Sequence, residues 1–151
     1  MDAAFFIESV GLVEKAEDMA LIQGVHHWLR PLGRFIIDCS ETAETSNSWS
    51  KRFQDGEVFG ESSFDPETRI QKIGFQFVQT DGQAIGLKDP LDSETPGIKR
   101  YLYSKAELIA MLESAGFEVE ELPHYYRRGY YSLKCIKRAS STIADCAVES
   151  R

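Results

Sequence analysis

The chain has 151 residues, of which 42% are hydrophobic and 27% are charged, and its formal net charge is -7. These proportions are typical of a soluble globular domain and disfavour a disordered, collagen-like or disulfide-stapled chain. The acidic balance disfavours non-specific nucleic-acid binding, except at residues 124–138, which hold five basic residues and no acidic one.

The cysteines and the amino terminus indicate the compartment. Cys39, Cys135 and Cys146 are odd in number and lack metal-ligand spacing, which favours reduced thiols and no metal site. Asp2 stands where a signal peptide needs cations, and the apolar run that follows is too short to cross a membrane. The sequence therefore predicts a cytoplasmic chain without a membrane segment.

The first forty residues predict a strand, a helix and a second strand. Residues 3–7 form a continuous apolar run, which is typical of a strand buried on both faces. Residues 14–29 carry one apolar stripe at helical spacing, and the Arg-Pro-Leu-Gly sequence at 30–33 ends that helix. Residues 34–39 read as another buried strand. The connection is long enough for a right-handed parallel crossover.

The middle of the chain predicts a loop followed by a hairpin. Residues 40–60 are polar and rich in serine and threonine, which favours a surface loop with Trp49 and Phe53 tucked onto the core. Apolar residues then alternate over 73–77 and again after the Asp-Gly turn within 81–87. This pattern predicts a β-hairpin.

The last third predicts a helix and two strands. Ser104 and Glu107 have the spacing of a capping box, and Gly116 stands where a left-handed C-cap is wanted. Residues 117–122 and 130–137 have strand patterns.

Common nucleotide and hydrolase motifs are missing from the sequence. The eleven glycines form neither a dinucleotide-binding nor a P-loop pattern, and no Gly-x-Ser-x-Gly elbow occurs. His26 and His27 are adjacent, so a helix points them about 100° apart and they are poor joint metal ligands. These classes of site are disfavoured.

Two polar segments are candidate sites. Glu8 and Ser9 follow the first strand, at the end of the sheet where open α/β sheets bind ligands, although simple strand termination explains them equally well. The aromatic and basic segment that contains His124, Tyr125 and Arg128 can form a wall of a substrate site. A hairpin with exposed tyrosines and arginines is the alternative.

Three segments resemble class I S-adenosylmethionine-dependent methyltransferases. Residues 2–11 with the helix that follows, and then 26–38, are similar to the fourth strand, its helix and the fifth strand of that family. Leu29-Arg30-Pro31-Leu32-Gly33 matches the family's Leu-Lys/Arg-Pro-Gly-Gly turn, with Leu32 in place of the first glycine. Residues 103–117 are similar to its "YS-x-x-EL…LL-x-x-AGF" signature.

The resemblance implies a fold and a division of the chain. The fold is α/β, a partial Rossmann-like methyltransferase sheet of parallel strands with a terminal antiparallel hairpin strand, plus a β-hairpin insertion. Residues 1–139 would form the carboxyl-terminal part of a methyltransferase-like domain, with an insertion or lid over about 40–100 and a flexible tail at 140–151.

The resemblance also implies a cofactor and a set of site residues. S-adenosylmethionine would be the methyl donor, with Glu8 and Ser9 near its methionine end, and the acceptor would be a small molecule. No catalytic residue is assigned. The candidates for the acceptor pocket are Trp49, Arg52, Phe64, Tyr101, His124, Tyr125 and Arg128.

The resemblance covers only part of the family's sequence and leaves two hypotheses for the function. The family's glycine-rich loop and ribose-binding acid precede the matched region, so the first hypothesis is a methyltransferase portion that needs an amino-terminal half. The second is a non-catalytic remnant that acts as a binding or oligomerisation module. In both cases the strand at 3–7 would be an exposed sheet edge, which predicts association with the missing half or with another copy.

Overall fold

The computed structural model describes residues 1–87, 97–123 and 129–139. Within these ranges the chain forms two helices and nine strands arranged in two sheets. In chain order the elements are β1 (Ala3–Ile7), α1 (Lys15–Trp28), β2 (Arg34–Ser40), β3 (Ser46–Phe53), β4 (Gly56–Asp65), β5 (Ile70–Gln79), β6 (Ala84–Leu87), β7 (Ile98–Tyr101), α2 (Lys105–Ser114), β8 (Phe117–Leu122) and β9 (Tyr130–Lys137).

The first sheet has the order β1-β2-β9-β8. Strands β1 and β2 are parallel, and α1 connects them, which confirms the predicted strand-helix-strand connection. Strand β9 is antiparallel to both β2 and β8. The predicted fold class, parallel strands with a terminal antiparallel strand, is therefore confirmed.

The core lies between one face of this sheet and the two helices. Helix α1 contributes Ile22 and Val25, and α2 contributes Leu108 and Leu112. The predicted capping box of α2 is present, since the Glu107 backbone N–H donates to Ser104 Oγ and the Ser104 N–H donates to Glu107 Oε2. The strand residues buried against these helices are Phe35, Ile37, Cys39, Phe117, Tyr131, Leu133 and Cys135.

The opposite face of the sheet is open at β1. Phe6 packs edge-on against Phe35 in the core, whereas Phe5 and Ile7 are 66% and 71% exposed on the other face. The prediction of a strand buried on both faces is therefore wrong for residues 3–7. Strand β1 ends the sheet in the part of the chain that the structure describes, and nothing there covers its outer face.

The second sheet replaces the predicted loop. Its order is β3-β4-β5-β6, and β7 pairs with β5. The predicted hairpin is confirmed as β5 and β6. The prediction for residues 40–60 is wrong, because most of this segment forms β3 and part of β4, and Trp49 and Phe53 are half-exposed rather than tucked onto the core. Strand β3 is exposed along its whole length, so its sequence shows no buried alternation.

Arg69 joins the second sheet to the segments that connect it with the rest of the chain. This residue lies in the turn between β4 and β5 with a left-handed backbone, φ 58°. Its Nε donates to the carbonyl oxygen of Leu102 at 2.7 Å, and its Nη2 donates to that of Glu41 at 2.9 Å. One side chain thus fixes the insertion to the segments that enter and leave it.

Leu32 occupies a position that favours glycine. Its φ is 62°, its side chain is exposed, and its N–H donates to the Lys137 carbonyl at 3.0 Å. A Cβ in this left-handed region costs about 1–2 kcal/mol. We expect Leu32→Gly to raise the free energy of unfolding by about 1 kcal/mol relative to Leu32→Ala, which keeps the Cβ. Urea denaturation of the two variants measures the difference, and equal midpoints would contradict it.

Among the described residues no helix is long and apolar enough to span a membrane. The predicted flexible tail at 140–151 and the candidate residues His124, Tyr125 and Arg128 lie outside the described residues.

Candidate acceptor cleft between the two sheets

A cleft of about 650 Å³ opens between the two sheets, next to the carboxyl end of β2. Its walls come from the start of β9 and from the connection between β2 and β3. The second sheet contributes the start of β3, the end of β4, the start of β5 and Arg100 of β7. Most lining side chains are hydroxyls or amides. The lining residues are Ser40, Thr42, Ala43, Glu44, Asn47, Ser62, Gln71, Arg100, Gly129 and Tyr130.

Arg100 forms the floor of the cleft. Its Nε donates to Gln71 Oε1 at 2.7 Å, and its Nη2 donates to Ser40 Oγ at 3.2 Å. Its Nη1 lies 3.7 Å from Glu8 Oε2. The Arg100 side chain is only 11% exposed, and both Ser40 and Gln71 are buried. The guanidinium is therefore held in one orientation and its charge is compensated by Glu8.

Glu8 lies directly after β1, as the sequence predicted. Its backbone is left-handed, with φ 49°, and its N–H donates to the Asp38 carbonyl at 2.8 Å. Its Oε1 is buried and accepts no hydrogen bond from the described residues. A carboxylate oxygen without a partner at this end of the sheet can accept a hydrogen bond from a protonated amine or another N–H donor.

Ser9 is less available than Glu8. Its hydroxyl donates to the carbonyl oxygen of Ile7 at 2.9 Å, within the turn that follows β1. The hydroxyl oxygen still has lone pairs, but its donor is used locally.

Three of the predicted acceptor residues occupy different places in the second sheet. Trp49 shares a sheet face with Asn47, which lines the cleft. Arg52 lies on the opposite face, is exposed, and pairs with Glu57 at 3.3 Å. Phe64 is buried at the end of β4.

Tyr101 lines a second cleft of about 550 Å³ formed with residues 11–15, Glu17, Ile70, Lys99 and Arg100. Its hydroxyl donates to Glu107 Oε1 at 3.1 Å. Partial burial, and then the hydrogen bond to Glu107, raise the pKa of this tyrosine. Tyr101 therefore remains a protonated hydrogen-bond donor at neutral pH. Arg100 lines both clefts, whereas Tyr101 lines only the second.

Sequence reasoning missed Arg100, Ser40 and Gln71. One signal was present for Gln71, because the apolar residues that alternate at 73, 75 and 77 lie on the same face of the strand as residue 71. A polar residue on an apolar face indicates a buried polar contact. Arg100 gave no comparable signal, since its partners are distant in sequence.

Asp18 is a buried acid that the helical stripe did not predict. Its Oδ2 accepts hydrogen bonds from the Gly11 N–H at 3.0 Å and the Tyr103 hydroxyl at 2.9 Å, whereas Oδ1 is buried without a partner among the described residues. Desolvation raises the pKa of Asp18, and the hydrogen bond from Tyr103 opposes that rise without cancelling it. The charged carboxylate is thus destabilised in the fold.

This raised pKa predicts a pH-dependent effect of Asp18→Asn. Between the unfolded and folded pKa values the native chain binds more protons, so the contribution of Asp18 to stability is lost as pH rises through the folded value. Asparagine does not titrate, and the cost of its buried amide is independent of pH. We therefore expect the variant to gain stability relative to wild type as the pH rises from about 4. Urea denaturation checks this, with Asp55→Asn on an exposed turn as the control.

The two described cysteines are structural thiols. Cys39 and Cys135 are both free and buried on the core face of the first sheet. Burial raises the pKa of each thiol to about 12. Because the thiolate is the reactive form, neither residue is a nucleophile at neutral pH.

Solved methyltransferase structures share this fold. The CcbJ methyltransferase from Streptomyces caelestis matches with a TM-score of 0.68 at 16% identity, covering 91% of this chain and 57% of that chain. CalS10, an amino pentose methyltransferase from Micromonospora echinaspora with bound S-adenosylmethionine, matches with a TM-score of 0.65 at 14% identity, covering 91% and 58%. KedS8, a sugar N-methyltransferase from a Streptoalloteichus species, matches with a TM-score of 0.64 at 17% identity, covering 92% and 57%.

No protein-family model and no curated protein matches the sequence. The chain spans less than two thirds of the length of each of the three structures. At these identities the likeness establishes the fold. The chain thus has the fold of the class I S-adenosylmethionine-dependent methyltransferases.

Proposed function

We propose that the chain is the carboxyl-terminal portion of an S-adenosylmethionine-dependent methyltransferase that acts on a small-molecule acceptor. The observation that carries the proposal is a polar cleft at the carboxyl end of β2, in a fold shared with methyltransferases over 91% of this chain. Open α/β sheets bind ligands at this end of their strands.

Glu8 fits the ammonium group of the cofactor's methionine end. Its Oε1 is buried without a hydrogen-bond donor, and its Oε2 is already near Arg100. S-adenosylmethionine supplies an electrophilic methyl group when bound, so the protein's task is to orient the acceptor and exclude water. Ser9 can contribute only as a hydrogen-bond acceptor.

The acceptor would occupy the cleft above Arg100. Trp49 shares a sheet face with the cleft residue Asn47, and Tyr101 lines the neighbouring cleft. We retain Arg52, Phe64 and the segment with His124, Tyr125 and Arg128 as further candidates. The structures of CalS10 and KedS8 belong to an amino pentose and a sugar N-methyltransferase, which supports a polar small molecule as acceptor.

An amino-terminal half would complete the cofactor site. The sequence contains no glycine-rich cofactor loop, and the structures that match are longer than this chain. Strand β1 pairs only with β2 among the described strands, and Phe5 and Ile7 are exposed beside its free edge. Backbone pairing and apolar burial at β1 would hold the two halves together.

Calorimetry tests the proposal. S-adenosylmethionine is titrated into the chain alone, and into the chain mixed with the amino-terminal half of a complete class I methyltransferase. We expect no binding, or only millimolar binding, by the chain alone and micromolar binding by the mixture, with sedimentation reporting complex formation. Tight binding by the chain alone would refute the need for a second half. A complex that binds no cofactor would refute the methyltransferase assignment.

Two carboxylate variants sharpen this test. Glu8→Gln is expected to weaken cofactor binding by the complex about tenfold, because the charge at the carboxyl end of β1 is lost. Glu57→Gln is the matched control, since Glu57 also pairs with an arginine but lies on the far face of the second sheet. Equal effects of the two substitutions would remove Glu8 from the cofactor site.

A second function, a non-catalytic binding or oligomerisation module, is favoured by the open face at β1. In that case copies of the chain associate through β1 and S-adenosylmethionine does not bind even after complementation. Sedimentation of Phe5→Asp against wild type separates the two, because a charge at this position would disperse a self-associated chain. A wild-type chain that is monomeric at high concentration contradicts this alternative.

A further inference from the structure

We propose that the cleft and the adjoining Trp49 indole bind a hydroxylated ring that carries a protonated amine, of the chemical class of an amino sugar. This inference rests on the proposed function only in naming the bound molecule as the acceptor. The binding itself follows from three features of the described residues: an indole platform, a wall of hydroxyl and amide groups, and one uncompensated carboxylate.

Trp49 lies flat across the neighbouring strand. It pairs with Gly60 on β4, and a Cβ at Gly60 would lie 2.1 Å from Trp49 Cε2. The indole therefore occupies the space that any other residue at 60 would fill. Trp49 remains 47% exposed, so one broad apolar surface is presented to solvent. Such a surface can cover the apolar face of a small ring.

The indole shares a sheet face with part of the cleft wall. Asn47 lies two residues before Trp49 on β3, and Ser62 lies two residues after Gly60 on β4, so all four share one face of the sheet. Asn47 and Ser62 both line the cleft. Residues two apart on a strand are about 7 Å apart, which is close to the width of a six-membered ring with its substituents. A ring on the indole would thus place its edge against the polar wall.

The polar wall suits hydroxyl groups. Thr42, Asn47 and Ser62 supply side chains that both donate and accept hydrogen bonds. Ser40 and Gln71 already accept hydrogen bonds from Arg100, and their hydroxyl and amide N–H groups are donors. Such an array of hydrogen-bond donors and acceptors matches a ligand whose hydroxyl groups also both donate and accept hydrogen bonds. A purely anionic ligand would need unused cations, and the guanidinium of Arg100 is already engaged by Gln71, Ser40 and Glu8.

Glu44 supplies the charge that selects an amine. It lies in the connection between β2 and β3, lines the cleft, and makes no ion pair with any residue that the structure describes. Because Arg100 is compensated by Glu8, the Glu44 carboxylate gives the described lining its unbalanced negative charge. A protonated amine on the ring would neutralise it.

Intrinsic fluorescence tests the inference without the cofactor. In a Trp28→Phe background, Trp49 is the sole tryptophan, since the chain has two. D-glucosamine, D-glucose and cyclohexylamine are titrated into the full chain near neutral pH. We expect a saturable change of Trp49 emission with D-glucosamine at millimolar concentration. D-glucose lacks the amine and cyclohexylamine lacks the hydroxyls, so each is expected to bind about tenfold more weakly.

Variants separate recognition from folding, with binding followed by saturation-transfer NMR. Glu44→Gln is expected to weaken D-glucosamine about tenfold while leaving D-glucose unchanged, an effect that general damage to the fold would not produce. Glu61→Gln, on the opposite face of the same sheet, is the matched control. Gly60→Ala displaces the indole, and we expect it to weaken both sugars as Trp49→Ala does.

The sugar-binding measurements decide the inference without reference to the cofactor. No saturable binding of D-glucosamine, or equal binding of all three probes, overturns it. Equal effects of Glu44→Gln and Glu61→Gln also overturn it, because the carboxylate in the cleft would then have no special role. Cofactor binding by the complemented chain is measured separately, so either proposal can fail while the other stands.

Discussion

Gly11→Ala is expected to lower the free energy of unfolding by more than about 3 kcal/mol. Gly11 has φ 90°, and a Cβ there would lie 2.0 Å from the Tyr101 carbonyl oxygen. The Gly11 carbonyl also accepts the Tyr101 N–H at 2.7 Å, and its own N–H donates to Asp18. The methyl group therefore strains the backbone and displaces β7, which breaks these hydrogen bonds.

Gly82→Ala is the matched control for this prediction. Gly82 has nearly the same conformation, φ 85°, but a Cβ there would meet nothing within 4 Å. It should therefore cost only the backbone strain, about 1–2 kcal/mol. Urea denaturation of both variants gives the difference. If the two alanines cost the same, the close approach of residue 11 to β7 is not present in solution.

Phe35→Ala is expected to lower the free energy of unfolding by about 3–5 kcal/mol. Phe35 is fully buried, and its ring lies 4.9 Å from that of Phe6 and 5.8 Å from that of Phe117. Removing it leaves a cavity between three strands and the helices, because neighbours fixed on rigid strands relax only partly. Thermal or urea denaturation measures the loss.

The matched control is Phe5→Ala on the neighbouring strand. Phe5 pairs with Ile36, the residue after Phe35, but its side chain lies on the open face of the sheet. We expect a cost below about 0.5 kcal/mol for the isolated chain. Comparable losses from the two substitutions would mean that the outer face of the sheet is covered in solution.

The helices and the first sheet, apart from the burial of β1, could be predicted from the sequence because local signals and burial agree there. The capping box at Ser104 and Glu107 marks the start of α2, and Gly116 marks its end with φ 97°. Strand β2 alternates buried Phe35 and Ile37 with half-buried neighbours. In these elements the residues that define the pattern are also the residues that form the core.

The second sheet and the site could not be predicted in the same way. Strand β3 is exposed throughout, so its residues carry no periodic pattern even though its backbone is fully paired with β4. The floor of the cleft depends on Arg100 meeting Ser40, sixty positions earlier in the chain. Contacts of this kind follow from how two sheets are placed, which no local pattern encodes.

The open strand β1 has a consequence for the behaviour of the chain at high concentration. Among the described strands β1 pairs on one side only, and an edge of this kind next to exposed Phe5 and Ile7 is a template for intermolecular β-pairing and aggregation. The net charge of -7 opposes this, because it keeps copies apart by mutual repulsion. That protection weakens with added salt and as acidification neutralises the carboxylates, so the colloidal stability of the chain depends on ionic strength and pH.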